Sequence, residues 1–281
     1  MIYIYFNPSF GFVEIEERRD RNVEMKRRIL RPPICDLSQS DEKIRKVIYE
    51  ALRGTLSPAM TIVGHGCEGM IRDLEETLKE KPRIKKVLQD EKTSQEAFDI
   101  DESLAKKHEK LKMCLEGVCK RLLCLASSTE TSSSKTNVSK TNVNGRLCFR
   151  VYPKQDKKKV RLGAHVDHTL MTLLYSNCAG LEILDSEVCD SKVWNREKIC
   201  SYGLPTVGSS EDGPMFLRED QWTTVDMPWN RYPLLFTVGA SWLSCDLDLV
   251  KVESPVLHRV VTNCNTERVS LPFLVDVVDS S

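Results

Sequence analysis

In the carboxy-terminal half of this chain, eight short runs rich in β-branched and aromatic residues follow one another, each divided from the next by turn residues. They are RLCFRVYP, VRLGAHVD, TLMTLLYS, GLEILD, QWTTVDM, LLFTVGASWL, VLHRVVTN and ERVSLPFLVDVV. Runs of this length and composition read as strands. Eight in succession predict an antiparallel sandwich or barrel, of which the jelly roll is the natural candidate. Residues 185–220 break the rhythm with a long polar stretch, expected to be an insertion that acts as a lid or is disordered.

The text before these runs has another character. PPICDLS reads as a short strand, and DEKIRKVIYEALRG as a helix with Ile44, Val47, Ile48, Ala51 and Leu52 at helical spacing. AMTIVGHG predicts a second strand, and EGMIRDLEETLKEKPRIKKVLQ a second helix interrupted by Pro82. Residues 104–126, with Leu111, Leu115, Val118, Leu122 and Leu123 on one stripe, predict a third helix. Residues 1–126 are therefore expected to form a mixed, mainly helical α/β region. Residues 127–145, with a doubled SKTNV and almost nothing to bury, cannot offset the entropy of ordering and predict a flexible linker. Residues 146–281 form the expected β core, so the fold class is mainly β with flanking helices.

Composition removes several functions. Lys+Arg and Asp+Glu both number 41, so there is no basic excess to attract nucleic acid or an anionic membrane. The apolar opening MIYIYFNPSFGFVEI is too short and too interrupted to cross a bilayer. The eleven cysteines are scattered and no secretory leader precedes them, so they are expected to be reduced in a cytoplasmic, monomeric protein. Cys114, Cys119 and Cys124 fall at steps of five, about 140° apart on a helix, and their thiols diverge rather than form a zinc cluster.

Chemistry concentrates in the β half. His165 and Asp167 lie two residues apart, so an extended segment presents imidazole and carboxylate on one face while His168 points away. A third ligand must come from a distant strand, and His258 in VLHRVV is the remaining histidine of this half. Two histidines and a carboxylate on one face of an octahedral metal leave positions open for a chelating co-substrate and dioxygen, the arrangement of non-haem Fe(II) oxygenases. A lone His-x-Asp is a common accident. The stretch ERVS adds weight, because Arg268 and Ser270 share one face, where a planar guanidinium and a hydroxyl can grip a carboxylate. If VLHRVVT and ERVSLPF pair as a hairpin, Thr262 faces Glu267 and Arg268 faces Val261. His258 then lies three residues along, about 10 Å away.

AHVDHTLMTLLY, GLEIL, SPVLHRVV and ERVSLPFLVD resemble, in order, the core motifs of the isopenicillin N synthase-like family of Fe(II)/2-oxoglutarate dioxygenases. More weakly, PPICDLS, TIVGHG and RVYP resemble that family's upstream segments. The resemblance implies a double-stranded β-helix, with His165, Asp167 and His258 as metal ligands. It also implies that Arg268, Ser270 and Tyr152 hold 2-oxoglutarate. Arg150 stands two before Tyr152, where many members carry asparagine.

Fe(II), 2-oxoglutarate and O2 are the expected cofactor and co-substrates. The expected reaction is hydroxylation or desaturation of a small organic molecule, with succinate and CO2 as co-products. Two alternatives stay open: an iron oxidase that does not use 2-oxoglutarate, and a silent relative acting as a binding module. A zinc hydrolase is disfavoured, since no H-E-x-x-H occurs. His65 is expected to be structural, His108 solvated, and the four tryptophans to pack the barrel or its rim.

Overall fold

Side chains alternate along strands, and here the alternation divides an inner cavity from an outer core. The computed structural model describes residues 2–7, 12–17, 27–53, 58–80, 83–86, 95–98, 102–127, 142–154, 160–184, 221–261 and 266–278. Strands are numbered in chain order. One seven-stranded sheet runs β1 (Ile2–Asn7), β2 (Phe12–Glu17), β3 (Arg27–Leu30), β13 (Trp222–Val225), β12 (Leu181–Leu184), β15 (His258–Val261) and β10 (Val160–His165). The other runs β4 (Ile34–Asp36), β5 (Ala59–Val63), β14 (Leu234–Val238), β11 (Met171–Ser176), β16 (Arg268–Val278) and β8 (Asn142–Leu147), with β9 (Arg150–Tyr152) also paired to β16. β6 (Arg83–Lys86) and β7 (Gln95–Phe98) pair as a separate two-stranded sheet, with β7 against β9. The pairs within the core are antiparallel; β3 with β13 and β4 with β5 are parallel, both made by amino-terminal strands. This is the expected double-stranded β-helix.

All eight predicted runs contain strands. RLCFRVYP supplies two, β8 and β9, parted at Cys148 and Phe149. The break lies where β16 presents Pro272, which has no N–H to offer the ladder and accepts from Cys148 N–H at 2.9 Å instead.

Three helices complete the fold: α1 (Asp41–Leu52), α2 (Glu68–Glu80) and α3 (Glu102–Ala126). Their apolar stripes form one cluster with the outward residues of the second sheet. On β16, Val269, Leu271, Phe273 and Val275 join Ile44, Ile48, Leu74, Leu111, Leu115 and Leu122. Each such buried side chain contributes about 1.5–3 kcal/mol. The intervening β16 residues Arg268, Ser270, Pro272 and Leu274 line the cavity between the sheets.

The structure departs from expectation at several points. α2 ends at Glu80, and residues 83–86 are a strand rather than helix, in keeping with a proline at sequence position 82, a residue that a helix interior does not accommodate. Strand β8 begins at Asn142, inside the segment expected to be linker, while residues 128–141 and the insertion 185–220 lie outside the described residues. β15 and β16 do not pair. Each already has both edges occupied, β15 by β10 and β12, β16 by β11 and by β8 and β9, so Arg268 faces Tyr152 and not Val261.

Cys67 and Cys114 form a disulfide across 47 residues of sequence, which corrects the expectation that all cysteines are reduced. Cys119 is buried and Cys124 exposed, so the three helical thiols diverge as expected. His108 is not solvated: its ring Nε2 is 3.1 Å from the Leu147 carbonyl and its edge meets Phe149, docking α3 on β8. His65 is structural, its Nδ1 accepting from Cys67 N–H and its Nε2 donating to the Tyr232 carbonyl. Trp222 and Trp242 are buried and Trp229 partly so, while Trp194 lies outside the described residues.

Candidate metal centre and carboxylate pocket

Antiparallel register places His165 of β10 directly opposite His258 of β15, with ring centroids 4.2 Å apart. Each ring is held by a carbonyl two residues earlier in the chain. His165 Nδ1 is 2.8 Å from Gly163 O, and His258 Nδ1 is 3.1 Å from Val256 O. A carbonyl can only accept, so both Nδ1 atoms carry the proton and both Nε2 lone pairs are free for a metal. Burial, and then the adjacent His258, pull the His165 pKa down to about 3, which keeps its imidazole neutral at physiological pH.

Asp167 follows β10 and completes the group. Thr172 Oγ1 of β11 donates to its Oδ2 at 2.6 Å, leaving Oδ1 3.8 Å from His165 Nε2. Burial raises the Asp167 carboxyl pKa, but His258, the Thr172 hydrogen bond and His165 outweigh it and hold the carboxyl below its usual value. One ligand atom from each of His165, Asp167 and His258 lies within 4.8 Å of the others. Two nitrogens and one oxygen on a single side suit a divalent first-row metal with open positions.

The same cavity is lined by Arg268, Ser270 and Tyr152. Arg268 is 1% exposed, and its Nε and Nη1 have no hydrogen-bond partner. Its guanidinium carbon sits 5.3 Å from the Tyr152 ring centre, and burial lowers its pKa. A buried guanidinium with two unpartnered donors is costly unless an anion meets it. That makes the pocket fit a dicarboxylate whose other end reaches the metal.

The structure thus brings together all six residues singled out from sequence, and adds others. Thr172 escapes a sequence reading because a strand threonine carries no signal of its target. Gly180, at φ +141°, escapes it too: a side chain there would meet Arg268 Cδ at 2.8 Å and the Val261 carbonyl at 3.0 Å, so only glycine lets the guanidinium stem pass. Gly239 packs so closely under the loop of Asp167 and Thr169 that a Cβ would strike the Thr169 carbonyl. Glycine spacing in a sequence does not reveal either approach.

No protein-family model and no curated protein matches the chain. Solved structures do resemble it. Dioxygenase for auxin oxidation 1 from Arabidopsis thaliana, in its 2-oxoglutarate binary complex, is 16% identical with a TM-score of 0.59, covering 89% of this chain and 94% of that one. JOX2 in complex with 2OG, Fe and JA is 18% identical with a TM-score of 0.56, covering 90% and 77%. The dioxygenase for auxin oxidation in rice is 14% identical with a TM-score of 0.52, covering 86% and 82%. The chain shares the double-stranded β-helix fold of these oxygenases.

Proposed function

We propose that this protein is an Fe(II)/2-oxoglutarate-dependent oxygenase that hydroxylates or desaturates a small organic substrate. One observation carries the reading: a His-Asp-His group and a buried arginine with unpartnered donors line the same cavity. In this reading His165 Nε2, His258 Nε2 and an Asp167 oxygen hold the iron, while Arg268 and Ser270 grip the distal carboxylate of 2-oxoglutarate beside Tyr152. When bound, the iron and 2-oxoglutarate supply the oxidative chemistry, in which dioxygen is consumed and succinate and CO2 are released. The protein's own part is to ligate, orient and keep water out. Thr172 fixes which Asp167 oxygen is offered, and the Gly163 and Val256 carbonyls fix the imidazole tautomers. Leu162, Leu174, Leu181 and Val260 give the cavity apolar walls. The unpartnered Arg268 favours this reading over an oxidase without 2-oxoglutarate, and the complete ligand set favours it over a silent binding module.

The test needs no substrate. Oxygen-free protein mixed with Fe(II) and 2-oxoglutarate is expected to develop a visible charge-transfer band that is absent in His258→Ala and Arg268→Ala. A protein that binds no iron would overturn the proposal, and one that binds iron without the band would favour the oxidase or the module.

A further inference from the structure

The cavity has a second arginine that the proposed chemistry leaves unused. Along β9, Val151 turns into the helical core while Arg150 and Tyr152 turn into the cavity. Register on β16 sets Tyr152 opposite Arg268 and Arg150 opposite Ser270. Arg150 therefore enters two register pairs farther along β16, in the direction of Leu274, which is itself the register partner of Thr172. Thr172 in turn holds Asp167. The Arg150 charge is a minor influence on His165, Asp167 and Arg268. Along β16 its register position lies between those of Arg268 and Leu274.

The charges in this cavity do not balance without a further anion. Among the described residues lining it, Asp167 is the sole carboxylate, against the two guanidinium groups of Arg150 and Arg268. A divalent metal and doubly charged 2-oxoglutarate offset each other, and Asp167 offsets one arginine. The other is left uncompensated, half-buried in a cavity that Leu162, Leu174, Leu181 and Val260 also line. Among the described residues no hydrogen-bond acceptor or ion-pair partner meets the Arg150 guanidinium. An uncompensated cation in such surroundings selects for negative charge and against neutral competitors.

Resting on the reading of this cavity as an iron and 2-oxoglutarate site, we infer that Arg150 holds a carboxylate or similar anionic group of the primary substrate. The enzyme accordingly acts on organic acids in preference to their neutral derivatives. Arg268 anchors the co-substrate and Arg150 the molecule to be oxidised, so the two arginines are separable by mutation.

The full chain, loaded with Mn(II) under argon, provides a binding test free of turnover. 2-Oxoglutarate is titrated calorimetrically into wild type, Arg150→Gln, Arg150→Lys and Arg268→Ala. Phenylacetate, benzoate, hexanoate and the methyl ester of each are then titrated into the 2-oxoglutarate complexes. 2-Oxoglutarate affinity is expected to change by less than about threefold in Arg150→Gln and to fall by roughly 100-fold in Arg268→Ala. In wild type at least one acid should bind roughly tenfold more tightly than its ester. That preference should vanish in Arg150→Gln and return in part in Arg150→Lys. Loss of 2-oxoglutarate binding in Arg150→Gln as severe as in Arg268→Ala would assign Arg150 to the co-substrate and overturn the inference. So would acids and esters that bind alike, or a panel in which no acid binds. Failure of wild type to bind Mn(II) or 2-oxoglutarate would remove the underlying reading as well, and is told apart by the first titration.

Discussion

Thr172, on the second sheet, donates a 2.6 Å hydrogen bond to Asp167, which follows the last strand of the first. The bond ties the two layers at the metal site and commits one carboxylate oxygen, so the other is aimed at the histidines. Thr172→Val keeps the shape and removes the donor. Fe(II) or Mn(II) affinity is expected to fall about 10–100-fold, as outer hydrogen bonds to ligands usually command. Thr172→Ser should retain most of it. Equilibrium metal titration of the two variants provides the check.

Arg268 sets function against stability. Its two unpartnered donors are buried before any anion arrives, at a cost of about 1–3 kcal/mol. Arg268→Met should therefore make the protein without metal or co-substrate more stable than wild type in urea melts. The same change should abolish the stabilisation that 2-oxoglutarate gives to wild type through mass action.

Gly239 and Gly163 make a matched pair around the metal loop. A methyl at Gly239 collides with the Thr169 carbonyl and crowds that of Asp167, whereas a methyl at Gly163 meets nothing within 4 Å. Gly239→Ala is expected to destabilise by about 1–3 kcal/mol, as overpacking does, and to weaken metal binding by displacing Asp167. Gly163→Ala should leave metal affinity unchanged, although the Gly163 carbonyl orients His165. Thermal melts with and without metal separate the two.

The Cys67–Cys114 disulfide joins the turn before α2 to α3, far along the chain from each other. Breaking it frees the unfolded chain more than the folded one, so Cys114→Ser should cost about 2–4 kcal/mol. Reductant should lower the melting temperature of wild type and leave that of the variant unmoved.

Local pattern accounts for much of this protein. The strand runs, the three helices and the His165, Asp167, His258, Arg268, Ser270 and Tyr152 set are legible because period and residue type are properties of short segments. The helical reading of α2 runs too far, since the apolar spacing continues past position 82 although a proline there is incompatible with a helix interior.

Sequence therefore dictates which segments become strands or helices, and which side chains along each strand share a face. It does not dictate which strands meet; that is settled in three dimensions. The expected hairpin of β15 and β16 is replaced by a crossing between sheets, because strand edges are shared among partners distant in the chain. That crossing sets Arg268 and His258 on opposite walls of one cavity, brings Thr172 to Asp167, makes glycine obligatory at Gly180 and Gly239, and turns Arg150 inward. Each of these depends on what approaches from another strand, a distance that no local periodicity encodes.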